Sequence, residues 1–281
     1  MTKAIWKSAI FLIFIPVLIL QGCSSNSGDV IVIDESAPAA PRGVYSVTGD
    51  EVVVIHWYPN QEMDLDGYVI YRSPTEFGDY EEIAVTGPNT TNYVDDDVKN
   101  GLTYYYAIAA FDNDGNESDL SPEIVDDTPR PEGMNVTLND YILEPDFSGF
   151  DFSRPDKNAQ PFDARGTDIY FGVGTVDGEV SVPYIYTVND DIGIQDLGYT
   201  DSMDDVDVSP TQGFTFGFVE AITGHTYAFL TLDGNYAKIR IIDVRIEWLA
   251  DDIDDAWMTF DWAYQLQVDN PELAPKKALE E

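Results

Sequence analysis

The most constraining feature of this sequence is the alternation of short runs rich in Val, Ile, Tyr, Phe and Thr with Gly, Asn, Asp and Pro. This pattern is typical of antiparallel β-strands joined by turns, and the apolar spacing of a long amphipathic helix is missing. The clearest run is residues 180–188, in which every second residue from Val180 is Val or Tyr. Pro183 predicts that this strand lies at an edge, because proline cannot donate to a ladder. We therefore expect an all-β protein.

The first residues indicate the compartment. Lys3 and Lys7 precede an apolar run over residues 9–20. Because that run is shorter than the roughly 20 residues of a permanent membrane span, we expect residues 1–22 to be a cleaved secretion signal.

The segment Leu20-Gln21-Gly22-Cys23 resembles the lipobox of bacterial lipoproteins. The resemblance implies cleavage before Cys23 and attachment of diacylglycerol to its sulfur. Cys23 is the only cysteine of the chain, so it has no disulfide partner there. We expect a lipid-anchored protein of the bacterial cell envelope. The outer membrane is favoured, because Ser24 rather than Asp follows the lipidated residue.

The charge of the chain excludes one class of partner. There are 52 acidic and 14 basic residues, which gives a formal net charge of −38. Such a charge repels polyanions and anionic headgroups, so we expect no nucleic acid to bind.

A Pro-rich segment over residues 127–133 interrupts the strand pattern and predicts a boundary between two folded domains. Each domain falls within the ordinary size range. The predicted organisation is a signal peptide (1–22), a tether (23–39), a first β domain (40–130), an aromatic-rich second β domain (134–270) and a tail (271–281).

The first domain contains Trp57 at the end of a strand, then Tyr68-Val69-Ile70-Tyr71-Arg72, then Tyr104 before an Ala-rich strand. This order resembles that of the fibronectin type III domain and covers nearly all of residues 40–130. The resemblance implies a seven-stranded sandwich with Trp57 in its core and Tyr104 at the tyrosine corner. Such domains are usually spacers or binding modules, and the resemblance brings no catalytic residue with it.

An acidic loop late in this domain, residues 112–117, has two interpretations. Asp112, Asp114 and Glu117 could supply oxygen ligands to calcium. The loop departs from an EF-hand, however, because its glycine is fourth rather than sixth. Asp, Asn and Gly are also the ordinary residues of turns, and the sequence leaves both interpretations open.

The second domain contains a predicted hairpin. Residues 227–232 and 236–241 flank Asp233-Gly234-Asn235, which predicts two antiparallel strands joined by a tight turn. Lys238 and Arg240 then share one face of the second strand. A further strand is predicted at residues 257–265, with one side chain set on a common face: Met258, Phe260, Trp262 and Tyr264.

Three landmarks of this domain, residues 150–153, 167–172 and 227–239, resemble in their order those of HmuY-type haem-binding lipoproteins. The resemblance implies a mostly β fold that captures haem through axial side chains. Axial ligands are drawn from His, Met, Cys and Tyr, so His225 and Met203 are the candidates here. The alternative is that His225 is an ordinary surface residue at the start of a strand.

The sequence argues against an enzyme. The two histidines lie in different domains, the single cysteine is assigned to lipid, and acids are too numerous for a pair to be informative. Nucleophile-elbow and phosphate-cradling motifs are missing. We expect a binding module of the cell envelope that contacts a glycan, a protein or a hydrophobic small molecule, besides the membrane reached by its anchor. The alternatives are capture of haem or another hydrophobic ligand, and calcium-dependent adhesion.

Overall fold

A computed structural model describes residues 36–123, 125–154, 156, 158–176, 180–250 and 252–274. The predicted signal peptide, Cys23, most of the tether and most of the tail lie outside the described residues. The described residues belong to one compact unit. Among them, no helix is both long enough and apolar enough to cross a membrane.

The first sandwich has seven strands. They are β1 (Tyr45–Gly49), β2 (Val52–His56), β3 (Leu65–Ser73), β4 (Glu81–Thr86), β5 (Asn92–Asp95), β6 (Tyr104–Asp112) and β7 (Val125–Asp127). One sheet has the order β1-β2-β5 and the other has the order β4-β3-β6-β7. All neighbouring strands are antiparallel.

The core of this sandwich forms around two aromatic residues. Trp57 is buried, and its ring meets that of Tyr68 edge to face at a centroid distance of 5.3 Å. Tyr104 begins β6, and its hydroxyl accepts a hydrogen bond of 3.1 Å from the backbone N–H of Lys99. This bond is that of a tyrosine corner, so both residues lie where the fibronectin type III resemblance predicts them.

The second sandwich has ten strands. They are β8 (Glu132–Asn139), β9 (Gly149–Phe150), β10 (Ile169–Val176), β11 (Val180–Thr187), β12 (Gly193–Tyr199), β13 (Thr215–Phe216), β14 (Phe218–Glu220), β15 (His225–Leu230), β16 (Tyr236–Leu249) and β17 (Asp252–Tyr264). A four-stranded sheet has the order β14-β11-β10-β9, and a six-stranded sheet has the order β13-β12-β15-β16-β17-β8. The helical elements of the described residues are two short 3₁₀ turns, Pro145–Phe147 and Met203–Asp205. The all-β prediction is confirmed.

The inner faces of these two sheets enclose an aromatic core. Phe150 lies 5.1 Å from the ring of Trp262 and 5.5 Å from that of Phe260, and all three are fully buried. The residues predicted to share a face of the last strand do so on the inner side of β17. Burial of side chains of this size supplies much of the stability of a β domain.

The predicted hairpin forms, and its loop covers residues 232–234 rather than 233–235. β15 pairs with β16 from Thr226↔Arg240 to Leu230↔Tyr236. The Gly234 N–H donates to the Thr231 carbonyl at 3.1 Å, and the Thr231 N–H donates to the Asn235 carbonyl at 2.9 Å. Gly234 has a φ of +81°, so it supplies the left-handed residue that ends a three-residue hairpin loop.

The prediction that Pro183 marks an edge strand is wrong. β11 lies between β10 and β14. The pairing of β11 with β14 covers Tyr184 to Tyr186, so Pro183 lies just beyond it. The Pro183 carbonyl accepts from the Ala221 N–H at 2.8 Å on that same side. Pro183 has no backbone N–H to donate, but it lies where the pairing of β11 with β14 ends. The proline therefore interrupts no hydrogen bond between these two strands.

One segment passes from one sheet to the other. β13 pairs with β12 of the six-stranded sheet, whereas β14 pairs with β11 of the four-stranded sheet. The residue between them, Gly217, has a φ of +93°, a conformation that L side chains rarely adopt. This corner brings Phe218 to the outer surface of the four-stranded sheet.

Candidate functional site

The solvent side of the four-stranded sheet carries a cluster of aromatic side chains, which we call the aromatic face. Successive residues of a strand point to opposite sides, so Tyr184 and Tyr186 point outward while Ile185 is buried in the core. The aromatic face consists of Tyr141, Phe162, Tyr170, Tyr184, Tyr186 and Phe218.

The rings of the aromatic face contact one another. Tyr170 and Tyr186 stack with centroids 4.9 Å apart and planes inclined by 11°. Phe218 meets Tyr184 edge to face at 5.1 Å, and Tyr141 meets Tyr170 in the same way at 5.3 Å. Such contacts hold each ring in place, so the face is preformed rather than assembled by a ligand.

Two glycines of β10 make room for these rings. A Cβ placed on Gly172 would lie 2.4 Å from the Tyr141 ring, and one placed on Gly174 would lie 3.0 Å from the Tyr184 ring. The rings therefore lie close over the backbone of β10, in space that any other residue would occupy.

The chemistry of the aromatic face is apolar with neutral hydroxyl groups. Its tyrosines are partly buried, and Phe218 is 57% exposed. Burial raises the pKa of Tyr186 to about 12 and also raises that of Tyr170. The phenols of Tyr170 and Tyr186 are therefore protonated at neutral pH and can both donate and accept hydrogen bonds. The face suits a ligand with apolar surfaces and hydroxyl groups.

A groove of about 450 Å³ lies beside the aromatic face, at one end of the second sandwich. Its apolar lining includes Ile142, Leu143, Val173, Trp248 and Ile253. Trp248 and Ile253 pair across the hairpin of β16 and β17. The size of the groove is within the range of about 300–1,000 Å³ that small ligands occupy.

The structure places the two candidate haem ligands in separate surroundings. His225 begins β15, with its Nδ1 3.0 Å from an Asp196 carboxylate oxygen. Met203 lies in a 3₁₀ turn, and its carbonyl accepts a 2.8 Å hydrogen bond from Lys238 Nζ. Haem capture through these residues stays a prediction.

The acidic loop forms a hydrogen-bonded turn. Asp112 Oδ1 accepts from the backbone N–H groups of Asp114 and Asn116 at 3.0 and 2.8 Å. The Asn116 side chain adds a further bond, and these bonds lower the pKa of Asp112. Glu117 accepts from the Tyr71 hydroxyl at 2.6 Å. The described part of the chain holds no group of three or more His, Cys, Asp or Glu residues that could hold a metal ion. Calcium binding by Asp112, Asp114 and Glu117 stays a prediction.

Sequence reasoning did not identify the aromatic face. A signal was available, because Tyr184 and Tyr186 alternate in one strand while Gly172 and Gly174 alternate in its neighbour. In the sheet Tyr184 is paired to Gly172, whereas Tyr186 is paired to Tyr170 and Gly174 to Val182.

Comparison with known proteins gives partial matches. No protein-family profile matches the chain. It is 41% identical over 122 residues to an amylopullulanase of Thermoanaerobacterium saccharolyticum, a match that covers 41% of this chain and 9% of the relative. It is 42% identical over 103 residues to the amylopullulanase of Thermoanaerobacterium thermosulfurigenes, which covers 35% of this chain and 5% of the relative. The chain thus spans a small part of these relatives.

Two solved structures that are 30% identical to this chain each cover about a third of it. A fibronectin type III-like protein from Clostridium thermocellum is 30% identical, with 35% of this chain and 100% of that chain covered and a TM-score of 0.28. A beta-1,2-glucanase from Parabacteroides distasonis is also 30% identical, over 34% of this chain and 14% of its own, with a TM-score of 0.30. The strand order, the buried Trp57 and the tyrosine corner give the first sandwich of this chain the fibronectin type III fold.

Proposed function

We propose that this protein is a non-catalytic module of the bacterial cell envelope that binds a neutral polysaccharide on its aromatic face. The observation that carries the proposal is the set of contacting rings on the solvent side of the four-stranded sheet. Contiguous apolar surface on a soluble protein marks an interaction site. A sugar ring offers C–H groups on its faces and hydroxyl groups on its rim, which match aromatic rings and phenol hydroxyls respectively.

The charge of the chain supports a neutral ligand. With a net charge of −38, the protein repels polyanions over distances up to about a Debye length, roughly 8 Å at physiological salt. Acidic polysaccharides and nucleic acids are therefore poor ligands, whereas a neutral glycan meets no electrostatic barrier.

The sequence relatives support the same class of ligand. Amylopullulanases are named for polysaccharides on which they act, and the chain matches 9% of one of them and 5% of another. A match of that size suits an accessory region of a large enzyme rather than its catalytic part. Pullulan and amylose are therefore the first polymers to test.

The lipobox supports attachment to the envelope. Cleavage before Cys23 and acylation of this residue would hold the module on a membrane, most simply the outer membrane, with the following residues as a tether. Metabolic labelling with palmitate tests this part, since Cys23→Ser should abolish both the label and membrane fractionation. Label retained by Cys23→Ser would contradict the anchor.

Affinity electrophoresis of the lipid-free mature chain in gels containing pullulan or amylose tests the ligand. We expect retardation by these polymers and none by alginate, an anionic control. Tyr184→Ala and Phe218→Ala should each weaken binding about tenfold, the effect of losing one central aromatic contact.

Two variants serve as controls. Tyr184→Phe keeps the ring and should retain most of the affinity. Phe77→Ala removes an aromatic side chain that is 89% exposed in the first sandwich and should bind as the unaltered protein does. The proposal fails if no neutral polymer retards the protein, or if Tyr184→Ala and Phe218→Ala bind as tightly as Phe77→Ala.

A further inference from the structure

We infer that the aromatic face and the groove beside it form one continuous surface for an extended, linear polysaccharide chain, with Trp248 contacting sugar units that lie beyond the face. This inference rests on the proposed function and adds the shape of its ligand. It concerns residues of the β16–β17 hairpin that take no part in the aromatic face.

The face and the groove share a border of consecutive residues. Tyr141 belongs to the aromatic face, and the next residue, Ile142, lines the groove. In β10, Gly172 lies under the Tyr141 ring, and the next residue, Val173, lines the groove. Val173 points to the core side of β10, whereas Gly172 lies on the side of the aromatic face. A ligand that leaves the face past Tyr141 therefore reaches the groove around the edge of β10, over the exposed Ile142.

A buried carboxylate fixes this border. Asp140 is 3% exposed, and its Oδ1 accepts from the backbone N–H groups of Ile142 and Leu143 at 2.8 and 3.1 Å. Its Oδ2 accepts from the Val173 N–H at 2.7 Å. One side chain thus ties the segment that carries Tyr141 to strand β10, so the face and the groove keep a fixed relation before any ligand binds.

Trp248 is far more exposed to solvent than Trp57 and Trp262. Trp57 and Trp262 are 3% and 0% exposed, whereas Trp248 is 54% exposed at the end of β16. Ile142, across the groove, is 66% exposed. A large ring left in water at the side of a groove marks a contact residue, because aromatic anchors dominate the binding energy of such sites.

The polar groups of the groove favour a hydroxylated, uncharged occupant. Ser181 and Asp252 line it together with the apolar residues, and Asp252 is exposed. A carboxylate accepts hydrogen bonds from sugar hydroxyls and repels anionic groups. The groove therefore has the same ligand preference as the aromatic face, which a single neutral chain satisfies at both places.

Two contacts on one chain predict a dependence of affinity on ligand length. A polymer that occupies the face binds the groove as an intramolecular event, so its affinity exceeds that of a fragment too short to reach both. We expect the unaltered protein to bind pullulan more tightly, per binding site, than maltotriose, with intermediate oligosaccharides in between.

Isothermal titration of the mature chain with maltotriose and pullulan, for a matched set of variants, tests this. Trp248→Ala should weaken pullulan binding about tenfold and change maltotriose binding less than about twofold. Tyr184→Ala should weaken both. Leu249→Ala is the matched control: it removes the adjacent side chain, 68% exposed and outside the groove lining, and should change neither.

Tryptophan fluorescence gives a second readout, since pullulan should alter the emission of the unaltered protein and leave that of Trp248→Ala nearly unchanged. The inference is overturned if Trp248→Ala binds pullulan like Leu249→Ala while Tyr184→Ala is impaired, a result that leaves the proposed function intact. Equal losses for maltotriose and pullulan in Trp248→Ala would also overturn it, because the groove would then be a site for single short sugars. Absence of binding by the unaltered protein would remove the proposed function itself.

Discussion

Asp168, at the entry to β10, is the residue whose environment gives the clearest dependence on pH. Its Oδ2 accepts a 2.9 Å hydrogen bond from the backbone N–H of Phe152. Burial, together with the nearby carboxylates of Asp151 and Asp233, raises the pKa of Asp168 from 3.8 to about 7. The folded protein therefore binds a proton at this carboxyl at pH values where the unfolded chain has lost it.

The raised pKa of Asp168 determines how the stability of the protein changes with pH. A carboxyl whose pKa is higher in the folded state stabilises the protein fully below pH 3.8, and this contribution is lost as the pH rises through about 7. Asp168→Asn keeps an acceptor oxygen and cannot ionise. We expect its free energy of unfolding to rise relative to the unaltered protein by on the order of 2–4 kcal/mol between about pH 4 and pH 8. Urea unfolding across this range measures the difference, and a difference independent of pH would contradict the assignment.

Lys238 shows how packing changes the role of a residue. The sequence predicts correctly that Lys238 and Arg240 share a face of β16, but not that this face is covered. Lys238 is fully buried, and its Nζ donates to the carbonyls of Met203 and Val206 at 2.8 and 2.9 Å. Burial lowers the pKa of Lys238 to about 7. Its role is therefore to fix the loop that covers the sheet.

At the scale of the element, β10 is shaped by the rings above it. A Cβ on Gly172 would meet the Tyr141 ring at 2.4 Å, so Gly172→Ala should displace that ring. We expect a loss of about 1–3 kcal/mol in the free energy of unfolding, typical of overpacking, and weaker pullulan binding. Gly87→Ala is the control, because a Cβ there meets nothing within 4 Å. Thermal unfolding and affinity electrophoresis measure the two effects, and equal behaviour of both variants would refute the close packing of Tyr141.

At the scale of the whole molecule, the two sandwiches meet through a polar junction. Gln267 Nε2 donates to the Gly101 carbonyl and to Thr103 Oγ1 at 3.2 and 3.1 Å. Arg130 is 2% exposed, and its backbone N–H donates to the Gly49 carbonyl at 3.2 Å. The junction therefore joins the segment before β8 and the segment after β17 to the first sandwich by direct hydrogen bonds.

This junction predicts a single thermal transition for both sandwiches. Scanning calorimetry should give equal calorimetric and van't Hoff enthalpies. Gln267→Ala should lower the common Tm by about 2–6 °C, as expected from the loss of hydrogen bonds worth about 1–2 kcal/mol. Gln61→Ala, a change at an exposed position, should leave it unaltered. Two well-separated transitions in the unaltered protein would show that the sandwiches unfold independently.

The charge of the molecule predicts a response to salt. At a net charge of −38, self-repulsion destabilises the compact state, and salt screens it. We expect the Tm at pH 7 to rise when NaCl increases from about 0.01 M to about 1 M, as the Debye length falls from about 30 Å to about 3 Å. A Tm that stays constant or falls over this range would show that repulsion contributes little.

The sequence alone determined the features that depend on neighbouring residues. The period-2 runs predicted the strands, the Asp-Gly segment predicted the β15–β16 hairpin, and the order of Trp57 and Tyr104 indicated the first sandwich. Strand periodicity and turn chemistry act over a few residues, so they can be recognised without knowledge of the rest of the chain.

Only the tertiary structure decided which face of each strand meets water and which strands are neighbours. Alternation shows that Tyr184 and Tyr186 share a side of β11, but their exposure follows from the packing of Ile185 against the core. In the same way, the place of Pro183 depends on where β14 ends, and the burial of Lys238 depends on a loop some 30 residues earlier. These properties are set by contacts between residues far apart in sequence, and local sequence patterns carry no information about such contacts.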